Sequence, residues 1–415
     1  MIKKFCFLFL SLVAIFLVSM FGICLIPTSA IAPNIKESAQ TLRTEWLYPV
    51  SYGNKYATLS YLCRDQYTDC LMINLAASID SDNPLESALT SPCLKDHKSI
   101  DELPSCLERL ADGVTSPNVK YDWYWHGYLV VLRPLLLLMD YELIRWFNCF
   151  IMLVLFVLSL YLIQKKINKS VALLFLGVAL LSHGETIPFT MQYASVFFVT
   201  LISICVLLWK TEYFAKENRD LYAFFAIGAI TVFVDFLTMP SVSLGIPLIF
   251  WLCFLSPNIQ NKKLLYKVIT LSISWGIGYA ILWVTKWGVC AMTFDPDVLV
   301  NAAQHADKWS GNQPEFGGRF TATFALLKRS LALLWNMNWI WLLLMMIIVL
   351  IWKRVPIKTI KQESWLLLIA LIPVVWSIVL VNHDVAHFGF VWRGYITTLL
   401  ALSVFFWRVN TKNYD

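Results

Sequence analysis

The sequence has few charged residues and none of the common motifs of soluble enzymes. Only 14% of its 415 residues are Asp, Glu, Lys or Arg. It has no P-loop, no Cys-x-x-Cys pair, no Gly-x-Ser-x-Gly and no His-Glu-x-x-His. The sequence therefore does not indicate a P-loop nucleotide hydrolase, a dithiol redox enzyme, a hydrolase with a nucleophile elbow or a zinc protease. No repeat or low-complexity segment is present, which argues against a solenoid.

Apolar and aromatic residues dominate instead. Hydrophobic residues make up 58% of the chain, including 18 Trp, 17 Tyr and 27 Phe. Repeated apolar runs near twenty residues can be satisfied only as helices that cross a membrane. The sequence predicts an all-α integral membrane protein with about ten transmembrane helices. Beyond the first helix, the spans are predicted near 144–163, 170–183, 193–209, 221–238, 240–255, 265–289, 336–352, 364–381 and 390–407.

Basic residues fall in short clusters after every second predicted span. Such clusters are typical of cytoplasmic loops. They therefore predict a multi-pass protein with both termini in the cytoplasm. The clusters are Lys165, Lys166 and Lys169; Lys210, Lys216 and Arg219; Lys262, Lys263 and Lys267; Lys353, Arg354, Lys358 and Lys361; and Arg408 with Lys412.

The chain divides into three predicted parts. Residues 1–32 form a first transmembrane helix or a signal anchor; "SAIA" at their end also fits a signal-peptidase site. Either interpretation places residues 33–143 outside the cytoplasm as a large first loop that ends in an interfacial helix. Residues 144–415 form the transmembrane bundle.

The first loop holds four cysteines. Their even number in an exported segment predicts two disulfides. Cys63 and Cys70 lie on one predicted helix about 10 Å apart, too far to pair with each other, so each is expected to pair with Cys93 or Cys106. Four free thiols are the alternative.

The same loop holds candidate catalytic acids. Asp65 and Asp69 are four residues apart in "RDQYTDCLMIN" and would share a helix face. Neighbouring carboxylates raise each other's proton affinity, which suits a general base. An ordinary solvated face is the alternative, and Glu45 is a third candidate.

The loop ends in "HGYLVVLRPLLLLMDYELIRWFN", whose short apolar part predicts a helix lying along the membrane. His126, Arg133 and Arg145 would there meet lipid headgroups or a lipid-linked anion. Simple anchoring at the interface is the alternative. Glu185 and Asp235 are further substrate-binding candidates, because acidic residues near an apolar core usually have a function.

"VNHDVAHFGFVWRGY" is the densest polar stretch between two predicted spans. Asn382, His383, His387 and Arg393 are expected to converge at headgroup depth and bind a phosphate. A plain external turn is the alternative. The two histidines at i and i+4 could ligate a metal, but no acid of a protease motif is near. No cofactor or metal is therefore predicted.

The residues from 125 to 153 resemble the GT-C superfamily of membrane glycosyltransferases. In "WHGYLVVLRPLLLLMDYELIRWFNCFIML", His126, Pro134, Leu135 and Arg145 stand where that family has a His-x-P-P-L-like interfacial helix followed by an Arg. The family's Pro-Pro pair and its Asp-Glu pair after the first helix are missing here. The resemblance implies a polyprenyl-phosphate sugar donor, a glycan or lipid acceptor, and a carboxylate base in the first loop.

The leading hypothesis is therefore a glycosyltransferase on the outer face of a bacterial cytoplasmic membrane. Membrane lipid is an expected partner; the net charge of +6 does not predict nucleic-acid binding, because the basic residues are loop clusters. Two alternatives stay open: a flippase for a lipid-linked saccharide, and a non-enzymatic envelope protein whose loop binds a partner. The sequence predicts no oligomeric state.

Overall fold

A computed structural model describes residues 2–45, 47, 62–96, 102–312 and 316–411. Within these ranges the chain is almost entirely helical, as predicted. The segments before residue 141 are α1 (Ile2–Cys24), α2 (Thr28–Thr44), α3 (Gln66–Ala77), α4 (Pro84–Thr90), β1 (Pro92–Cys93), α5 (Leu103–Ala111), β2 (Val119–Lys120) and α6 (Leu129–Leu136). The two strands form one short antiparallel pair.

The remaining residues form the helical bundle. Its helices are α7 (Tyr141–Lys166), α8 (Lys169–Leu181), α9 (Met191–Trp209), α10 (Thr211–Phe214), α11 (Arg219–Val234), α12 (Ser241–Leu255), α13 (Asn261–Thr293), α14 (Val298–Trp309), α15 (Gly318–Asn336), α16 (Trp339–Trp352), α17 (Ile357–Gln362), α18 (Ser364–Ala370), α19 (Ile372–Val379), α20 (Val381–Ala386), α21 (Phe388–Val391) and α22 (Ile396–Thr411). Short 3-10 turns cover Gly184–Phe189, Ser256–Asn258 and Trp392–Tyr395.

Six helical stretches in the described part of the chain are long and apolar enough to cross a membrane. A seventh is the pair α15 and α16, bent by 81°, if it counts as one span. The six are Ile2–Cys24, Tyr141–Lys166, Met191–Trp209, Ser241–Asn258, Asn261–Thr293 and Phe388–Thr411. Each of the other predicted spans falls on a shorter helix, so a multi-pass helical protein is found and the number ten stays a prediction.

Helices α11 and α13 pack with their backbones in close contact. A Cβ atom on Gly228 would lie 2.0 Å from the Trp275 carbonyl oxygen, and one on Gly278 would lie 2.1 Å from the Phe225 oxygen. Small residues permit such an approach between apolar helices, which gain packing contacts from it. Any larger residue at either position would push the two helices apart.

Arg133 fastens the first loop to the end of α1. Its side chain is fully buried and donates to the backbone oxygens of Ile23, Ile26 and Ala76, with 3.1 Å between Nε and the Ile23 oxygen. It therefore joins the end of α1, the end of α3 and α6. The expectation that Arg133 faces headgroups is wrong, because three carbonyls already accept from its guanidinium.

The predicted disulfides are not confirmed. All ten cysteines lie in the described ranges, and all carry free thiols. Cys70, Cys93 and Cys106 are within electrostatic reach of one another. Cys63 precedes α3 instead of lying on it, and its electrostatic neighbours are Arg64, Asp65 and Arg393. Three thiols are grouped and the fourth is apart, so two pairs do not form in this arrangement.

Candidate active site

A cavity of about 500 Å³ lies where the first loop meets the bundle. Its walls come from α3 and the residue before it, the segments after β1 and β2, the start of α5, the start of α9, the turn after α11, α14, and the helices α20 and α21. The lining residues are Asp65, Tyr67, Thr68, Leu71, Asn74, Leu94, Lys95, Leu103, Tyr121, Trp123, Tyr124, Gln192, Phe236, His305, Trp309, His383, Ala386, His387, Gly389 and Phe390. Aromatic rings and a few polar groups thus share one concave surface, which is typical of a ligand site.

One wall is a rigid aromatic surface around Trp123. Indole N–H groups of Trp283 and Trp287 both donate to the Trp123 carbonyl oxygen, the longer bond being 3.0 Å and the other 2.5 Å. The Trp123 ring stacks on the His305 ring at 4.2 Å between centroids. Because α13 supplies both donors, this long helix fixes the position of the wall.

Asp65 places a carboxylate in the cavity. It is the N-cap of α3: the Thr68 backbone N–H donates to Oδ1 at 2.9 Å, and the Thr68 hydroxyl donates to Oδ2 at 2.8 Å. Burial raises the pKa of Asp65 to about 6, against the two Thr68 bonds and the charge of Arg393. A carboxylate with a pKa near 6 is mostly ionised at neutral pH and accepts a proton more readily than an ordinary one.

Asp69 does not line the cavity. The Tyr141 hydroxyl donates to its Oδ2 at 2.8 Å, and the backbone N–H groups of Met191 and Gln192 donate to its carboxylate at 3.0 and 3.1 Å. It therefore caps the N-terminus of α9 from a distant helix. Burial raises the pKa of Asp69 to about 7, in opposition to these donors.

Asp65 and Asp69 thus do not share an exposed helix face. Asp65 stands before the first residue of α3 and not within it. The i and i+4 interpretation fails for that reason, since an N-cap residue does not follow the helical periodicity.

Glu45 is held in an ion pair. Two bonds of 2.8 and 3.0 Å join its carboxylate to the Arg145 guanidinium, and the Gln66 amide also donates to it. Burial favours the protonated acid, but the bonds and charge of Arg145 prevail and hold the pKa of Glu45 below its usual value. A paired carboxylate of low pKa is a weak base. Arg145 itself stacks on Tyr141 at 4.5 Å, so it faces protein groups and not headgroups.

Two histidines of the polar stretch at 381–395 line the cavity, as their spacing suggested. The ring centroids of His383 and His387 are 4.9 Å apart, and Trp309 contacts both rings. His383 Nδ1 lies 3.3 Å from Asp384 Oδ1, so its Nδ1–H donates to that carboxylate. Burial, followed by the charges of His383 and Lys308, lowers the pKa of His387 to about 3. His387 is therefore neutral and offers one N–H.

Arg393 and Asn382 stand behind the cavity instead of lining it. Arg393 donates to the backbone oxygens of Gly389 and Cys63, both at 3.2 Å, and its guanidinium lies 4.1 Å from the Tyr193 ring. The Asn382 amide donates to the Lys308 oxygen at 2.9 Å. Arg393 thus ties the loop next to Asp65 to the last span, and Asn382 ties α20 to α14.

The other predicted binding residues lie outside the lining. His126 is buried between Tyr121 and Tyr128. Asp235 accepts from the Thr238 backbone N–H at 3.0 Å, in the turn after α11. Glu185 is exposed, with its carboxylate 3.0 Å from His183 Nδ1. Within the described ranges no cluster of three His, Cys, Asp or Glu side chains could hold a metal.

Lys95, Gln192, His305 and Trp309 line the cavity but were not predicted. His305 and Trp309 come from the polar stretch 293–320, which lies between two predicted spans. Gln192 is 3% exposed, and its Oε1 has no hydrogen-bond partner among the described residues. An acceptor aimed at a cavity without a partner is the kind of group a bound ligand satisfies.

Comparison with family models, with curated proteins and with solved structures finds no match to this chain.

Proposed function

We propose that this chain is a GT-C-like membrane glycosyltransferase that moves a sugar from a polyprenyl-phosphate donor to a glycan or lipid acceptor. The observation that carries the proposal is the shared cavity of Asp65 and the two histidines, His383 and His387. A base of raised pKa and two imidazole rings line the same cavity. Acid–base chemistry at an anionic leaving group needs that pairing.

The aromatic lining favours a sugar as the group bound. Tyr67, Tyr121, Trp123, Tyr124 and Trp309 all border the cavity. One face of a pyranose ring carries C–H groups and is apolar, so it packs well on aromatic rings. Its hydroxyls need polar partners at the rim. Gln192, whose Oε1 has no partner among the described residues, supplies an acceptor for them here.

The proposed reaction is a single displacement. Asp65 takes the proton from the acceptor hydroxyl, and the oxygen attacks the anomeric carbon of the donor. The bond between that carbon and the phosphate oxygen breaks, and the phosphate leaves with the electron pair. Asp65 then releases its proton to solvent, so the protonated base returns to the carboxylate.

Donors at the opposite wall would stabilise the leaving phosphate. His387 provides a neutral N–H. His383 lines the same wall, with its ring held by the Asp384 carboxylate. Lys95 adds a fixed positive charge at the cavity rim.

A second cavity supports a lipid-linked donor. It measures about 370 Å³, lies between the bent pair α15–α16 and the helices α19 and α22, and presents a mostly apolar surface. Ser377 and Tyr395 on its wall also border a narrow gap that reaches Asp384, the neighbour of His383. An apolar chain in this groove would direct its phosphate toward the histidines.

The test is transfer from a radiolabelled polyprenyl-phosphate sugar by the purified protein in detergent. Asp65→Asn is expected to lower the transfer rate by roughly 10²–10⁴-fold, since the amide cannot accept the proton, while donor binding is kept. His383→Ala with His387→Ala should weaken donor binding. Glu185→Gln is the matched control, because this acid is exposed and lies outside the cavity.

Two outcomes would overturn the proposal. Full transfer activity in Asp65→Asn would remove the proposed base. Movement of a lipid-linked saccharide across vesicles with no sugar transfer would favour the flippase alternative.

A further inference from the structure

A second polar cavity lies at the other end of the bundle. It measures about 380 Å³, and its lining residues are Lys166, Trp209, Lys210, Thr211, Glu212, Tyr213, Lys216 and Arg219. Four cations and one acid make its charge strongly positive. The end of α7, the end of α9, α10 and the start of α11 form it.

Helix α9 connects this basic pocket with the candidate active site. Gln192, at the start of α9, lines the active-site cavity, and Trp209, its last residue, lines the basic pocket. The 19-residue helix is about 28 Å long. That length matches the hydrocarbon core of a bilayer, about 30 Å. The two cavities therefore stand at opposite membrane boundaries.

Aromatic side chains at the pocket mark the boundary itself. Trp209 and Tyr213 are 70% and 54% exposed. Exposed Trp and Tyr at the end of a spanning helix are typical of the layer where lipid headgroups begin. Their rings also hold cations in place: Arg219 lies 4.4 Å from the Tyr213 ring, and Lys210 lies 5.2 Å from the Trp209 ring.

An apolar stripe leads from the hydrophobic zone into the pocket. Ile202, Val206 and Trp209 are spaced at i, i+4 and i+7 on α9, so they share one face. All three are large and exposed, at 47%, 43% and 70%. A site for a free anion needs only the cations. An apolar stripe that ends at those cations fits a molecule with a hydrocarbon tail and an anionic head.

We propose that this pocket binds an anionic glycerophospholipid from the leaflet opposite the active site. Its phosphate sits among Lys166, Lys210, Lys216 and Arg219, and an acyl chain lies along the α9 stripe. Because α7 and α9 end here and α11 begins here, the bound lipid braces the helices that position Asp69, Gln192 and Phe236 at the other end. The proposal does not depend on the reaction proposed for the active site.

The test measures the thermal unfolding midpoint of the purified protein in nanodiscs with increasing phosphatidylglycerol in phosphatidylcholine. Phosphatidylglycerol is expected to raise the midpoint, and phosphatidylcholine alone is not. Lys210→Ala with Lys216→Ala should lower the apparent affinity for phosphatidylglycerol by roughly thirtyfold, since each basic residue near an anionic headgroup contributes about fivefold. Both lysines are exposed, so this variant is expected to fold.

Lys262→Ala with Lys263→Ala is the matched control. It removes the same charge from exposed lysines at the start of α13 that do not line the pocket. An equal loss of affinity in the control would show general surface attraction and overturn the site. A second titration replaces the lipid with inorganic phosphate or pyrophosphate. If either raises the midpoint as much as the lipid does, the pocket holds a free anion and the lipid assignment is wrong.

Discussion

Asp65 and Thr68 are joined by two hydrogen bonds, one from the Thr68 backbone N–H at 2.9 Å and one from its hydroxyl at 2.8 Å. The first is the cap of α3 and orients the carboxylate toward the cavity. The second stabilises the ionised form and so counteracts burial, which raises the pKa of Asp65 to about 6. The hydroxyl of Thr68 therefore tunes the proposed base without being required for the fold.

The first prediction is a pH profile. Because the ionised form of Asp65 is the base, transfer activity should fall as the pH drops through about 6. Thr68→Val removes the hydroxyl bond and keeps the backbone cap, so the acid limb should move to higher pH with little change in the maximal rate. Arg393→Gln should move it the same way, since that charge also favours the carboxylate.

Thr285→Val is the control for the first prediction, because this hydroxyl donates to the Ile281 oxygen on α13 away from the cavity. The profile is measured as initial rate from pH 5 to 8 at saturating donor. An acid limb that stays in place in Thr68→Val and Arg393→Gln would argue that another group is the base.

The second prediction separates Asp69 from Asp65. Asp69→Asn should lower the free energy of unfolding by roughly 2–3 kcal/mol. Each carboxylate oxygen of Asp69 accepts from a backbone N–H at the start of α9. An Asn side chain has only one oxygen, so in either orientation its NH2 group faces one of these N–H donors. Asp140→Asn is the matched control: Asp140 caps α7 through the Leu143 N–H and is partly exposed, and Asn is an equally good cap there.

The measurement for Asp69 is the thermal midpoint of each variant beside its transfer rate per folded molecule. Asp69→Asn should lose stability and keep the rate of the folded fraction. A variant that is fully stable and inactive would instead make Asp69 the catalytic base.

Sequence reasoning reached the helical membrane class because composition determines it. Apolar runs leave the chain few alternatives in a bilayer, and every predicted span falls on a helix. It also brought His383 and His387 together, since their i and i+4 spacing is local. It failed where a residue's role depends on distant segments. Asp69 is a cap for α9, more than a hundred positions later, and no local pattern records that contact.

The cavity shows the same limit. Asp65, His305 and His383 come from three separate parts of the chain, and only the packing of the loop on the bundle brings them together. Arg133 was misjudged for a related reason. A buried arginine bound to carbonyls and an interfacial arginine have the same neighbours in sequence, and they differ only in which backbone oxygens the fold places around them.

The third prediction concerns His126 and the stability of the fold. Its Nε2–H donates to the Tyr121 carbonyl oxygen at 2.8 Å, and its Nδ1 accepts from the Tyr128 hydroxyl at 3.2 Å, which fixes the neutral ring. Burial lowers the pKa of His126 to about 3; the Tyr121 bond opposes this and the charge of Lys286 adds to it. Tyr124 and Phe236 complete its surroundings.

In the unfolded chain this histidine binds a proton near pH 6.5, whereas in the folded protein it stays neutral. The unfolded state therefore binds more protons between about pH 3 and 6.5, and the stability that His126 contributes above pH 6.5 is lost as the pH falls through that window. One such proton changes the free energy of unfolding by up to about 1.4 kcal/mol per pH unit.

His126→Gln keeps a donor for the Tyr121 oxygen and cannot titrate, so its stability should fall less between pH 7 and 5. His183→Gln is the control, because His183 lies at the surface beside Glu185. Thermal midpoints at several pH values decide the matter: curves for His126→Gln that run parallel to those of the unmodified protein would show that the buried ring is not the group that titrates.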